Sequence, residues 1–185
     1  MNATFAGNLW SGLASNRLYQ VLLVLGGTIL LAVSAKVQVP FWPVPMTMQT
    51  FVVLMIGATL GARLAGATML AYLVEGAAGL PVFAGGVGFG YIAGPTGGYL
   101  IGFVLGATLV GWLADRGFGR SILTTLLAFL AGEIAIFVLG TGWLATLIGL
   151  DKALRGGLVP FLPGEAIKVA LACAVLPIAW RLVRR

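Results

Sequence analysis

Charged residues are scarce in this 185-residue chain. Asp, Glu, Lys and Arg together make up 9% of it, against roughly a quarter in soluble domains. So few charges could not cover the surface of a soluble globule of this length, because such surfaces are rich in these four residue types. The composition therefore excludes an ordinary soluble protein.

Histidine is absent, and Cys173 is the single cysteine. A disulfide framework is excluded, and the usual zinc and haem sites lack their ligands. The sequence also contains no Gly-x-Ser-x-Gly elbow, no acidic metal cluster and no phosphate-binding loop ending in Gly-Lys-Ser or Gly-Lys-Thr. We therefore expect no enzyme, no metal or cofactor site, and no ATP hydrolysis by the chain itself.

Apolar residues dominate, at 60% of the chain, and charges and glycines divide them into six segments. This pattern predicts an all-α integral membrane protein with six transmembrane helices in a single domain, residues 1–185. The predicted spans are Arg17–Lys36, Met46–Leu60, Arg63–Ala78, Gly97–Ala114, Ser121–Leu139 and Phe161–Arg181. The apolar run 141–150 is too short to span, so we expect an interfacial helix there. A cleavage-like Val33-Ser34-Ala35 also allows a signal peptide, but no soluble segment follows it.

The distribution of Lys and Arg predicts the orientation of these spans in the cytoplasmic membrane. With the N-terminus inside, the cytoplasmic ends hold Arg17, Arg63, Arg116, Arg120, Arg181, Arg184 and Arg185, and the outer ends hold Lys36, Lys152 and Arg155. This asymmetry places both termini in the cytoplasm. It also accounts for the net charge of +6 without a nucleic-acid partner.

Polar residues inside the predicted spans all fall in the outer half of the membrane. They are Gln49, Glu75, Tyr99, Glu133, Glu165 and Lys168. Ionisable groups within a membrane cost several kcal/mol and usually face a cavity or a partner. We therefore expect a polar cavity that opens outward and captures a small polar molecule.

The segment Gly79–Phe103 is uncharged, dense in glycine and contains two prolines. It cannot form one continuous helix. Irregular backbone at membrane depth is tolerated where protein covers it or where it lines a cavity. The segment therefore predicts an extracellular capping loop over the cavity, followed by a glycine-rich helix.

The sequence of this segment, LPVFAGG followed by GPTGGYLIGF, resembles the signature of the BioY family. The resemblance extends from about Pro40 to Ala172 and includes PVPMTMQTF, residues 43–51, and the Pro163-Gly164-Glu165 run that ends at Lys168. It implies the biotin-binding S-component of an energy-coupling factor (ECF) importer. It also implies two kinds of partner, a transmembrane coupling subunit and cytoplasmic ATPases, besides membrane lipid and a possible homo-oligomer.

Glu165 and Lys168 are the strongest candidates for binding a ligand, because a spacing of three puts both side chains on one helix face. The resemblance suggests Lys168 as a charged donor to the ligand and Glu165 as an acceptor. The family usually has Asp at the acidic position, so Glu165 differs by one methylene group. The alternative is an internal ion pair that contacts no ligand.

Further candidates each have a structural alternative. Gln49 could meet a ureido group or bridge helices, and Glu75, with Tyr72, could form the lip of the pocket or an interfacial anchor. Glu133 could be protonated and structural or could contact the ligand. Tyr99 lies near the start of its span and completes the polar set. The aromatic side chains of Trp42, Phe83, Phe89 and Tyr91 could enclose an apolar ring or form an aromatic belt.

Small residues at Gly98, Gly102 and Gly106 recur every four positions. This pattern favours close helix packing within the bundle, and docking of a membrane partner is the alternative. Two other functions stay open. One is an S-component for another small vitamin. The other is a proton-coupled carrier or channel that uses Glu75, Glu133 and Glu165.

Overall fold

The computed structural model describes residues 16–183, and this part of the chain contains eight helices and a two-stranded antiparallel sheet. The helices are α1 (Arg17–Lys36), α2 (Gln49–Leu60), α3 (Ala62–Ala77), α4 (Gly88–Ile92), α5 (Gly97–Asp115), α6 (Ile122–Ile148), α7 (Leu150–Gly157) and α8 (Leu162–Val183). The strands β1 (Gln38–Val39) and β2 (Met46–Thr47) lie between α1 and α2. The all-α prediction is confirmed. The predicted Arg181, Arg184 and Arg185 cluster lies at or beyond the limit of the described side chains.

Within residues 16–183, four helices are long and apolar enough to cross a membrane: α1, α5, α6 and the stretch Leu162–Trp180 of α8. The other two predicted spans correspond to α2 and α3, which have 12 and 16 residues. Both are shorter than the ~20 residues of a standard spanning helix. The structure thus has several membrane-length helices, and the count of six crossings stays a prediction.

The predicted interfacial helix at 141–150 is wrong, and so is the end of the fifth span at Leu139. Helix α6 continues without a break from Ile122 to Ile148, over 27 residues. Gly140 lies inside the helix and makes room for a neighbour: a Cβ there would overlap the ring of Tyr99. The helix ends at Gly149, whose φ of +84° favours glycine. The short helix is α7, which follows.

The second predicted span begins three residues too early, at Met46. Met46 and Thr47 pair instead with Val39 and Gln38 in a short hairpin. Three prolines between the strands, Pro40, Pro43 and Pro45, prevent this segment from joining a helix. The hairpin therefore ends at Thr47, and α2 begins two residues later at Gln49.

Helix α5 is the most buried of the membrane-length helices and packs against α2, α3 and α6. Its glycine face lies on α6. A Cβ added at Gly102 would come within 2.9 Å of the backbone of Ile136, and one at Gly106 within 3.0 Å of the carbonyl of Gly132. Close packing within the bundle, as the four-residue spacing predicts, is confirmed for this face.

Between α3 and α5 the backbone is irregular except for the single short helix α4, as the glycine and proline content predicts. Phe83 anchors this segment, since its ring is fully buried over Gly76. Lys36, at the end of α1, donates a hydrogen bond from Nζ to the Phe83 carbonyl at 2.6 Å. The segment is therefore tied to α1 and α3. Its extracellular position stays a prediction.

Candidate functional site

A cavity lies among α2, α5, α6, α8 and the glycine-rich segment, and we call it the central cavity. Its walls include Gln49, Thr50, Tyr91, Tyr99, Phe137 and Glu165. Its volume is only about 40 Å³, far below the roughly 300–1,000 Å³ of a typical small-molecule site, so a bound ligand would have to move the walls apart.

Aromatic rings form most of the apolar wall. Tyr99 stacks on Phe161 with ring centroids 6.4 Å apart, and Phe137 meets both rings edge-on at 5.9 Å. Tyr91 closes the side formed by the glycine-rich segment and stacks on Phe83 at 5.2 Å. Rings in these arrangements attract one another and present flat apolar surfaces. The cavity is suited to a compact, largely apolar ring system.

Glu165 brings a carboxylate to the wall of this cavity and is only 6% exposed. Its Oε1 accepts a hydrogen bond from Lys168 Nζ at 2.8 Å, and its Oε2 accepts one from the Thr50 hydroxyl at 2.7 Å. Helix α8 places it in the first turn, just after Pro163, a residue well suited to a helix start. The carboxylate is therefore held in one orientation from two sides.

Lys168 lies behind Glu165 rather than in the central cavity. Its Nζ donates to the Thr47 carbonyl at 2.6 Å, to the Thr50 hydroxyl at 2.8 Å and to Glu165. These three bonds match the three donors of an ammonium group. The side chain faces a neighbouring groove lined by Val39 and Met46. The geometry is that of the internal ion pair, while direct contact between Lys168 and a ligand stays a prediction.

Gln49 lines the cavity and bridges helices, while its contact with a ureido group stays a prediction. Its amide nitrogen donates to the Tyr72 hydroxyl at 2.8 Å, and that hydroxyl donates to the Val82 carbonyl at 2.8 Å. This chain of hydrogen bonds links α2 to α3 and to the glycine-rich segment. Gln49 therefore fixes the part of that segment next to the cavity.

The ring of Tyr99 also lines the cavity, and the hydroxyl group of Tyr99 holds this ring in place. The hydroxyl donates to the Gly157 carbonyl at 2.6 Å and lies 3.4 Å from the Thr141 hydroxyl. Because Gly157 ends α7, these contacts hold the short helix against α5 and α6. The tyrosine thus joins the aromatic wall to the α6–α7 turn.

Several sequence candidates besides Lys168 do not reach the wall of the central cavity. Glu75 is half-buried on α3, near Tyr72. Phe83 lies behind Tyr91, packed edge-on against Tyr72 at 5.4 Å. The other aromatic candidates, Trp42 and Phe89, are 78% and 74% exposed. The structure therefore brings together Gln49, Tyr91, Tyr99 and Glu165 in the wall, with Lys168 behind it and Phe83 beneath it.

Among the residues of the site that sequence reasoning missed are Thr50, Phe137 and Phe161. Thr50 follows Gln49 directly. Gln49 therefore indicated this part of the sequence, but nothing indicated the contacts of the Thr50 hydroxyl. Phe137 lies one helical turn after Glu133, on the same face of α6. No local signal marks Phe161, because an aromatic residue at the start of an apolar segment resembles any other.

A second, larger cavity adjoins the first between α6 and α8, and we call it the lateral cavity. Its volume is about 460 Å³. Phe137 and Glu165 line both cavities and separate them. Apart from Glu133 and Glu165, the residues of its wall are apolar: Leu126, Leu130, Ile134, Phe137, Leu158, Leu162, Ala166, Val169 and Ala170.

Glu133 is the least expected of the polar residues, and it is 7% exposed. Neither of its carboxyl oxygens has a hydrogen-bond partner among the described residues. Its carboxyl group lies next to that of Glu165, with the charge of Lys168 beyond. Two buried carboxyl groups therefore meet at the boundary between the central and the lateral cavity.

Comparison with known proteins agrees with these features. The model of the BioY family matches residues 7–185. A probable biotin transporter BioY of Pyrococcus horikoshii is 38% identical over 84% of this chain and 93% of its own length. The biotin transporters BioY of Rhizobium etli and Thermotoga maritima are 35% and 37% identical, over 82% and 80% of this chain and 87% and 88% of their own lengths.

A solved structure is also similar. It is the S-component for biotin from an ECF-type ABC transporter, with a TM-score of 0.75 and 27% sequence identity. The similarity covers 91% of this chain and 93% of that one. Fold and sequence therefore agree over nearly the whole length of both chains.

Proposed function

The chain belongs to the BioY family, and we propose that it binds biotin in the central cavity as the S-component of an ECF-type importer. The observation that carries this proposal is Glu165, a fixed carboxylate at the edge of an aromatic cavity. Biotin combines an apolar bicycle, a ureido group with two N–H donors, and a carboxylate tail. The aromatic wall suits the bicycle, and Glu165 suits a ureido N–H.

The proposed setting is the cytoplasmic membrane, crossed six times, with both termini in the cytoplasm and the glycine-rich segment outside. The exposed apolar side chains of α1, such as Leu22, Ile29 and Val33, support contact with lipid or with a membrane partner. We propose a transmembrane coupling subunit and cytoplasmic ATPases as the partners, because the chain has no phosphate-binding loop of its own.

A proton-coupled carrier would need a row of ionisable groups. Glu133 and Glu165 are neighbours, but Glu75 lies on α3 and does not line the central cavity. The arrangement therefore supports a binding protein better than a relay of the three residues. An S-component for another small vitamin differs only in the ligand.

The ligand can be identified directly. Protein purified from cells grown with a mixture of vitamins is denatured, and the released small molecules are identified by mass spectrometry. We expect biotin at up to one molecule per chain, and less of it from a Glu165→Ala variant. A different vitamin released by wild type in the same proportion would keep the S-component role and overturn the ligand.

A further inference from the structure

We propose that Glu133 is a positioning residue of the ligand site: a neutral carboxylic acid that donates its proton to the carboxylate of Glu165, directly or through one water molecule. The inference rests on the proposed function of the central cavity. It assigns a role to the one buried carboxyl group that the hydrogen-bond network of the site leaves out.

The carboxyl groups of Glu133 and Glu165 differ in their hydrogen-bond partners. Glu165 accepts hydrogen bonds from an ammonium group and a hydroxyl, at 2.8 and 2.7 Å. Glu133 receives none from the described residues. A buried charge without a partner is very costly, and such a group becomes neutral instead. Two adjacent buried carboxyl groups also do not both ionise easily. Glu165 is therefore the anion and Glu133 the acid.

The proton of Glu133 needs an acceptor among the groups that surround its carboxyl group. From α8, Glu165 and Lys168 are the charged groups that face Glu133. The α2 and α5 side chains that pack on the preceding residue, Gly132, are Leu54 and Val110, which are apolar. Lys168 is a donor only. The carboxylate of Glu165 is thus the acceptor available to the acid.

The lone pairs of Glu165 leave positions free for both a ligand and Glu133. A carboxylate offers about four acceptor positions, two on each oxygen. Lys168 and Thr50 occupy one on each oxygen. Glu165 lines both the central and the lateral cavity. A ligand N–H on the central side and the Glu133 O–H on the lateral side would complete the set, and the acid would keep Glu165 turned toward the ligand.

This role predicts that two substitutions of Glu133 differ in their effect on biotin affinity. Glu133→Gln keeps a hydrogen-bond donor of nearly the same shape, so biotin affinity should stay within about threefold of wild type. Glu133→Leu removes the donor and should weaken biotin binding by about tenfold to a hundredfold, as expected for a lost bond to a charged group. A cooperative melt without ligand shows that the leucine variant is folded, so that its weaker binding reports on the lost donor.

The experiment measures biotin affinity in detergent by titration calorimetry, the melting temperature without ligand, and the infrared carbonyl stretch of protonated carboxyl groups. Glu75→Leu, on a residue outside the cavity wall, is the matched control and should bind biotin like wild type. The infrared spectrum of wild type should show a protonated carboxyl band that Glu133→Gln lacks. This band reports on Glu133 even where a leucine variant does not fold.

Two results would overturn the inference. One is a Glu133→Leu variant that binds biotin as tightly as a wild type that itself binds biotin. The other is a protonated carboxyl band that is absent from wild type or persists unchanged in Glu133→Gln. Failure of wild type to bind biotin would instead contradict the proposed function, while the infrared band would still decide which carboxyl group holds the proton.

Discussion

The hydroxyl of Thr50 lies 2.7 Å from a carboxylate oxygen of Glu165, although 115 positions separate the two residues in the sequence. The same hydroxyl accepts a hydrogen bond from Lys168 at 2.8 Å. One threonine on α2 thus connects both members of the ion pair on α8. The wall of the central cavity depends on this link between the helices.

Replacing Thr50 with Val should therefore weaken biotin binding at least about tenfold. Valine has the shape of threonine but neither donates to Glu165 nor accepts from Lys168, and bonds to charged groups contribute about 1.5–3 kcal/mol each. Titration calorimetry in detergent measures the effect. The matched control is Thr59→Val on the same helix, because the Thr59 hydroxyl bonds only the backbone of its own helix. Equal affinities for the two variants would remove Thr50 from the site.

Lys168→Ala tests the ion pair. It leaves the carboxylate of Glu165 buried without its cation, and truncation of one member of such a pair typically costs about 2–5 kcal/mol. Biotin affinity should fall roughly 30-fold to several-thousand-fold. Lys152→Ala, at an exposed position on α7, should leave it unchanged.

Biotin amide then shows whether Lys168 acts on the ligand directly. If Lys168 meets the carboxylate of biotin, wild type should prefer biotin over the amide and Lys168→Ala should lose that preference. If Lys168 only holds Glu165, as its three hydrogen bonds to protein suggest, both proteins should treat the two ligands alike. A Lys168→Ala variant with wild-type affinity would exclude either role.

Two glycines of α6 provide a matched pair for packing at the cavity. A Cβ at Gly140 overlaps the ring of Tyr99, whereas one at Gly142 meets nothing within 4 Å. Gly140→Ala should displace the aromatic wall, lower the melting temperature and weaken biotin binding, since overpacking typically costs about 1–3 kcal/mol. Gly142→Ala should stabilise by about 0.5–1 kcal/mol, because alanine favours the helix. Thermal melts that rank the variants the other way would contradict the packing of Tyr99 on α6.

The topology can be tested with single cysteines in a Cys173→Ala background. Phe89 on α4 and Ile122 at the start of α6 are exposed, at 74% and 66%. In intact cells, a membrane-impermeant thiol reagent should modify Phe89→Cys at once and Ile122→Cys only after permeabilisation. The reverse pattern would invert the proposed orientation and place the glycine-rich segment in the cytoplasm.

Local patterns were enough to predict part of this architecture. The spacing of Glu165 and Lys168 placed them on one helix face, and their hydrogen bond at 2.8 Å shows that arrangement. The glycine and proline content of Gly79–Phe103 excluded a continuous helix there. Both features depend on residues close together in the sequence.

Features that depend on distant residues could not be read in the same way. Gly140 looks like a helix break until Tyr99, 41 positions earlier, is seen to fill its space. Lys168 looked exposed to the ligand, but Thr47 and Thr50 supply its remaining partners from α2 and the strand before it. Glu75 was a candidate because it is an ionisable residue within a predicted span, but it lies outside the wall of the central cavity. Packing between helices decides all three cases.

The central claim is that the purified chain binds biotin without a gradient, ATP or a partner subunit. Equilibrium binding of radiolabelled biotin to wild type in detergent, beside a Glu165→Ala variant, tests it most directly. Wild type should bind biotin saturably at one molecule per chain, and the variant should lose this binding. Added protonophore should not change it when the protein is in sealed vesicles. Absence of saturable binding by folded wild type, or binding that the Glu165→Ala variant retains in full, would contradict it.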